Sequence, residues 1–168
     1  YAILLAYPTK QAAKDALLLH PKARADGRYN IAAFNTATPA GTRWFRAVTE
    51  FLASRWGQSD NAHGRVWGWI VGNEANSHWM WYNLGRSPLD EVACEYEKAV
   101  RIVDASARKA VSHARVYLSL DHHWRISMSG ISAEEATPGR EFMQSFAKIA
   151  KQRGELEAER RRLAARVR

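Results

Sequence analysis

The sequence predicts an α/β protein built on a parallel sheet. Three short apolar stretches, at residues 1–7, 65–72 and 114–120, have the length and composition of buried strands. A segment with the apolar spacing of an amphipathic helix comes after each of them. Strand and helix alternating three times is typical of β/α units, in which the strands are parallel and the crossovers are right-handed.

The three helices have recognisable starts, because a Ser-Pro or Thr-Pro pair precedes each one. The predicted helices cover 39–56, 88 to about 112, and a segment that starts after Thr137-Pro138 and stops at Gly154. The apolar face of the first contains Trp44, Phe45, Val48, Phe51 and Leu52, and that of the second contains Val92, Tyr96, Ala99, Val100, Val103 and Ala107. Residues 8–38 are predicted to form a long, mostly irregular connection.

The composition excludes several classes of protein. The one cysteine, Cys94, cannot form a disulfide within the chain, and no apolar run approaches the roughly 20 residues of a membrane span. Half of the net charge of +8 lies in residues 151–168, and the signs are mixed elsewhere. This distribution argues against nucleic-acid binding by the body of the protein. No phosphate-cradling glycine loop is present, and we expect no cofactor.

The candidate chemistry lies where the second strand ends. A carboxyl group such as Glu74 at the end of an apolar strand is partly desolvated, so its pKa rises and it can act as a proton donor. Asn73 could donate a hydrogen bond to a substrate hydroxyl. Since aromatic faces stack on sugar rings, the nearby Trp79 and Trp81 are candidate substrate contacts. The alternative is that these side chains cap and pack the loop.

A second polar cluster, Asp121-His122-His123-Trp124, ends the third strand. It suggests a metal site, but adjacent strand residues point to opposite faces, and the spacing matches no known ligand motif. We therefore expect no metal, and we expect the cluster to contact substrate beside Glu74.

The segments that contain these residues resemble those of a known enzyme class. An apolar strand ending in Gly-Asn-Glu resembles the fourth strand of clan A glycoside hydrolases, which are (β/α)8 barrels. The blocks "FNTATPAGTRWFRAVTEFLASRW", "GWIVGNEANSHWMWYNLG" and "ARVYLSLDHHW" are similar to a bacterial glycoside-hydrolase-like family catalogued as a domain of unknown function, over roughly residues 1–153.

The resemblance implies a partial (β/α)8 TIM barrel, about strands three to five, with Glu74 as general acid/base. The residues expected to border the sugar are Asn35, His78, Trp79, Trp81, Asp121, His122, His123 and Trp124. A retaining glycosidase needs a second carboxylate about 5–5.5 Å from the first, on a later strand. We therefore expect residues 1–153 to be the middle of a barrel, inactive alone, and residues 154–168 to be an Arg-rich tail, helical or disordered.

Two other functions fit the same residues. One is a non-catalytic carbohydrate-binding or scaffold protein, whose sugar binding would survive replacement of Glu74 by Gln. The other is a metal-dependent hydrolase that uses Asp121, His122 and His123, whose activity a chelator would remove.

Overall fold

In a computed structural model of the protein, three parallel strands form one open sheet in the order β1-β2-β3. The strands are β1 (Ala2–Leu4), β2 (Gly68–Val71) and β3 (Arg115–Leu118). The structure describes residues 1–9, 11–24, 31–57 and 62–166, with side chains as far as residue 160. The predicted α/β class and parallel strand order are confirmed.

The described residues contain five helices and one 3₁₀ turn. The helices are α1 (Ala12–Leu18), α2 (Pro39–Trp56), α3 (His78–Trp81), α4 (Leu89–Ala110) and α5 (Gly139–Arg166), and the 3₁₀ turn is Ala75–Ser77. α2 has the predicted bounds, and α4 lies within two residues of its predicted ends. The sequence analysis missed α1, which lies in the connection predicted to be mostly irregular; residues 25–30 of that connection are outside the described residues.

The start of α2 shows how a local signal becomes a fixed element. The Thr38 Oγ1 accepts a hydrogen bond from the Gly41 N–H at 3.0 Å, as an N-cap does. Buried Asn35 accepts from the Thr38 N–H and hydroxyl, each at 3.1 Å, and its amide donates to the Ala16 carbonyl at 2.8 Å. Asn35 therefore ties the cap of α2 to α1.

In the described parts of the chain, helices cover one face of the sheet and leave the other open. Trp69 and Val71 belong to the buried core with Tyr96 and Ala99 of α4. The intervening positions, Ile3, Ile70 and Tyr117, are paired in register on the opposite face. Ile3 is 48% exposed and Tyr117 is 39% exposed. The near-continuous apolar run at residues 65–72 is typical of a strand that is covered on both faces, but within the described residues the sheet is packed on one face.

The apolar positions of α2 divide between core and surface. Phe45 is buried and Leu52 packs against the core, as the helical spacing predicted. Trp44, Val48 and Phe51 are exposed instead. The described residues therefore bury only part of the apolar surface of α2.

α5 does not stop at Gly154, where the sequence analysis placed its end, but continues to Arg166. Pairing with α4 supports this extension. Arg153 contacts the buried carboxylate of Glu97 at 2.9 Å, and Arg101 contacts Glu157 at 2.7 Å. A single glycine in a helix interior costs only about 1 kcal/mol, which such contacts can offset. Residues 167 and 168 of the predicted tail are outside the described residues.

Candidate active site

The end of β2 is held between the ends of its two neighbours. The Gly72 N–H donates to the carbonyl of Leu4, the last residue of β1, at 2.9 Å. The Glu74 N–H donates to the Ser119 hydroxyl after β3, at 3.0 Å, and the Ala75 N–H donates to the Ser119 carbonyl, at 2.9 Å. These bonds fix the backbone that carries Glu74 at the carboxyl edge of the sheet.

Glu74 has a strained backbone. Its φ of 40° and ψ of 54° lie in the left-handed region, and it is the one non-glycine residue with positive φ in the described parts of the chain. A side chain with a Cβ pays about 1–2 kcal/mol to adopt this conformation. Such strain persists only where the surroundings impose it, and it is concentrated at functional sites.

Tyr96 supports the same edge from the core side. Its hydroxyl donates to the Val71 carbonyl at 2.6 Å and accepts from the Ser119 N–H at 3.1 Å. One side chain of α4 therefore bridges the ends of β2 and β3. The spacing of α4 predicted that Tyr96 is buried, but not that it organises the site.

Asp121 is the centre of a polar network. Asn76 donates to it at 2.9 Å, Ser77 donates to its other oxygen, and the His123 N–H donates at 2.8 Å. Asn76 also accepts from the Asp121 N–H and donates to the Thr137 carbonyl, at 2.9 and 3.0 Å. The loop after β2 and the loop after β3 are thereby joined.

The pKa values of the Glu74 and Asp121 carboxyl groups are shifted in opposite directions. Burial, and then the charge of Asp121, raise the pKa of Glu74, while His122 and His123 oppose the shift. Burial alone would raise the pKa of Asp121, but hydrogen bonds from Ser77, Asn76 and His123 outweigh it, so this pKa is lowered. When the pKa values of two neighbouring carboxyl groups are shifted apart, the group of higher pKa can act as the acid and the other stays ionised. Here Glu74 is the candidate acid and Asp121 the anion.

His122 and His123 do not diverge as the sequence analysis expected. They lie beyond the end of β3, so the alternation of a strand does not apply, and their ring centroids are 4.0 Å apart. The Nδ1 of His123 is 3.4 Å from a carboxylate oxygen of Asp121. Within the described residues, no three His, Cys, Asp or Glu side chains converge as a metal site would require.

The tryptophans that are predicted to contact a sugar differ in solvent exposure. Trp124 is 49% exposed and packs beside Gly139, where α5 begins. Trp79 and Trp81 are partly buried in α3. The guanidinium carbon of Arg86 lies 5.7 Å from the centroid of the Trp79 ring. These three indoles keep surface that a ligand could reach.

Two other predicted site residues are buried and engaged by the protein. Asn35 has no exposed surface and serves the N-terminus of α2. His78 is 1% exposed, and its Nε2 lies 2.6 Å from the Glu134 carbonyl. Burial lowers the pKa of His78 to about 4, so the ring is neutral at neutral pH. Both residues support the site as it stands, without presenting a surface to a ligand.

The structure brings Glu74 together with Asp121, His122 and His123, and half-buried Asn73 precedes Glu74. Sequence reasoning missed Asn76, Ser77 and Ser119 as members of the site. The first two were visible as polar residues directly after Glu74. Ser119 had no such signal, because a serine in an apolar strand is common.

Fold and site together define an α/β protein with a strand-end carboxyl group of raised pKa at the open edge of a parallel sheet. The chain belongs to a family of unknown function, DUF5722, whose family model matches residues 1–159. No curated protein and no solved structure matches the chain. In the parts of the chain that the structure describes, the helices are too short or too polar to cross a membrane.

Proposed function

We propose that the protein takes part in the hydrolysis of O-glycosidic bonds, with Glu74 as general acid/base. The observation that carries the proposal is a carboxyl group of raised pKa held in strained backbone at the carboxyl edge of a parallel sheet. Strand carboxyl ends are where ligands bind in β/α folds. The partly exposed indoles of Trp79 and Trp124 support a sugar as the ligand.

In the proposed reaction, protonated Glu74 donates its proton to the glycosidic oxygen as the bond to the anomeric carbon breaks. A second carboxylate attacks that carbon, and Glu74 then takes a proton from the water that releases the sugar. Asp121 is a poor nucleophile, because its side chain is 3% exposed and three donors occupy its oxygens. We assign Asp121 to positioning the loops and to raising the pKa of Glu74.

We further propose that the sheet is part of a (β/α)8 barrel, about strands three to five. The sequential order of the strands supports this, since each strand pairs with the next one along the chain. The exposed apolar face at Ile3, Ile70 and Tyr117 also supports it. In a closed barrel this face is the filled interior.

The test compares two aryl glycosides, one with a good leaving group (dinitrophenol) and one with a poor one (phenol). Sodium azide is included, so that a small anion can replace the second carboxylate at the anomeric carbon. We expect Glu74→Gln to slow release of phenol by roughly a hundredfold or more and to affect dinitrophenol far less, because only phenol needs a proton to leave. Glu141→Gln, at an exposed glutamate of α5, is the matched control.

Equal losses for both leaving groups, or none, would overturn the acid/base role of Glu74. If oligosaccharides bind with the same affinity to Glu74→Gln and neither glycoside is cleaved, the protein is a carbohydrate-binding protein and not a hydrolase.

A further inference from the structure

A cavity lies beside α3. This cavity of about 520 Å³ is lined by the segment before residue 25 and by the loop after α3. Its volume falls in the range of about 300–1,000 Å³ that is usual for small-molecule sites. Among the described residues that line it are three cationic side chains, Lys22, Arg24 and Arg86, and the indole of Trp79, and none of these lining residues is acidic.

The walls of this cavity are built by specific backbone contacts. The side chain of buried Asn83 accepts from the Arg24 N–H at 3.2 Å and donates to the Arg24 carbonyl at 2.8 Å. It also accepts from the Gly85 N–H at 2.9 Å. A Cβ on Gly85 would lie 2.6 Å from the Lys22 carbonyl oxygen, so only glycine allows the two walls to approach this closely.

The cations on these walls keep hydrogen-bond donors for a ligand. Lys22 pairs with Glu91 at 2.5 Å but is 51% exposed, and its ammonium has three donors. Arg86 pairs with one oxygen of Glu135 at 3.0 Å but is 66% exposed, and its guanidinium has five N–H groups. The carboxylates therefore orient the cations without exhausting their donors.

The combination of an indole with cations selects a chemical class of ligand. The apolar face of a sugar ring stacks on an indole, and guanidinium and ammonium groups bind carboxylate or sulfate oxygens. Trp79 follows Glu74 by five residues through the 3₁₀ turn and the start of α3, which separates their backbones by about 10 Å. An oligosaccharide at Glu74 could therefore extend into this cavity.

Resting on the proposed function, we propose that this cavity is a subsite for an anionic sugar residue, so that the substrate is an acidic glycan. Arg86 and Lys22 bind the carboxylate or sulfate group, and Trp79 stacks on the ring. The guanidinium carbon of Arg86 lies 5.7 Å from the Trp79 ring centroid while Arg86 pairs with Glu135, so the two groups proposed to bind the ligand are neighbours.

The experiment is calorimetric titration of the chain with three oligosaccharides of equal length: a uronic acid oligomer, a sulfated oligomer and a neutral one. We expect the acidic ligands to bind at least about tenfold more tightly than the neutral one, with an affinity that falls as salt rises. Whichever acidic oligomer binds more tightly identifies carboxylate or sulfate as the group recognised.

The variants Arg86→Gln and Lys22→Gln are each expected to weaken acidic-ligand binding by about tenfold and to leave the neutral ligand unchanged. Arg108→Gln is the matched control, because it also removes an exposed cation from an ion pair, with Asp104 at 2.8 Å on α4. Circular dichroism checks that each variant is folded. Trp79→Ala should weaken all sugars that use the cavity.

Equal affinity for neutral and acidic sugars, no binding of any sugar, or an equal loss in Arg108→Gln would each overturn the subsite. Displacement of the acidic sugar by a short single-stranded oligonucleotide at similar concentration would also overturn it, in favour of a phosphate-backbone site. Glu74→Gln separates this proposal from the previous one. The preference for acidic over neutral oligosaccharides should persist in Glu74→Gln, whatever that variant does to the release of phenol.

Discussion

Glu74 combines two destabilising features at one position. Its backbone is left-handed without the freedom of glycine, and its carboxyl group is partly desolvated beside Asp121. A residue chosen for stability alone would be glycine, as at Gly72 two positions earlier, where φ is 65°. The presence of a strained acid at this position is the residue-level argument for the proposal that Glu74 serves chemistry.

We predict that Glu74→Gly stabilises the protein by about 1 kcal/mol, because glycine adopts positive φ at no steric cost. Glu74→Gln keeps the strain and removes only the charge. A raised folded-state pKa means that wild type loses stability as pH rises from the unfolded value of about 4.3 through the folded one. The stability of Glu74→Gln relative to wild type should therefore increase across that pH window and stay constant above it.

Urea unfolding of both variants between pH 4 and 8 measures these effects. Asn73→Gly is the control, because residue 73 lacks a positive φ and glycine there should destabilise. A loss of stability in Glu74→Gly at every pH would contradict the claim of strain.

At the scale of elements, the helices differ in how much of their extent local sequence decides. α2 follows its Thr-Pro start and keeps its predicted end, since both signals are local. α5 passes through Gly154, because ion pairs to α4 on either side of that residue hold the helix. Gly41 in α2 and Gly154 in α5 have different surroundings.

We predict that Gly154→Ala stabilises the protein by about 0.5–1 kcal/mol, because alanine is the better helix former and no atom of the described residues lies within 4 Å of the added Cβ. Gly41→Ala is the matched comparison, also within a helix. Its Cβ would lie 2.2 Å from the Asn35 side chain, so we expect a loss of about 1–3 kcal/mol. Thermal unfolding of the two variants measures both changes in stability. A loss of stability in Gly154→Ala would mean that α5 does not continue through this position.

At the scale of the whole molecule, the sheet has one face packed on helices and one face of exposed apolar side chains. Tyr1 packs against Trp67 and Tyr117, with ring centroids 5.4 and 5.5 Å apart, and all three are exposed. A contiguous apolar surface of this kind is typical of a face that binds a protein segment, a membrane or a ligand. The proposed barrel would cover it as its interior.

We predict that Tyr117→Lys changes the free energy of unfolding by no more than about 0.5 kcal/mol and lowers the binding of a hydrophobic dye, because the residue lies on the open face. Val116→Lys, one residue earlier on the helix-packed face, should cost about 3 kcal/mol. Dye fluorescence measures the exposed apolar surface of both variants, and urea unfolding measures their stability. Equal destabilisation by the two would show that both faces are packed in the chain.

The sequence by itself determined the α/β class, the parallel order, the bounds of α2 and α4, and the position of Glu74 at a strand end. Each of these follows from periodicity or from residues within a few positions of one another. The tertiary structure decided which polar residues are buried. Asn35 and His78 are engaged by Ala16 and Glu134, and Asp121 by Asn76 and Ser77, across 19 to 56 residues of chain. Burial and hydrogen-bond partners at such separations depend on packing, which no local pattern encodes.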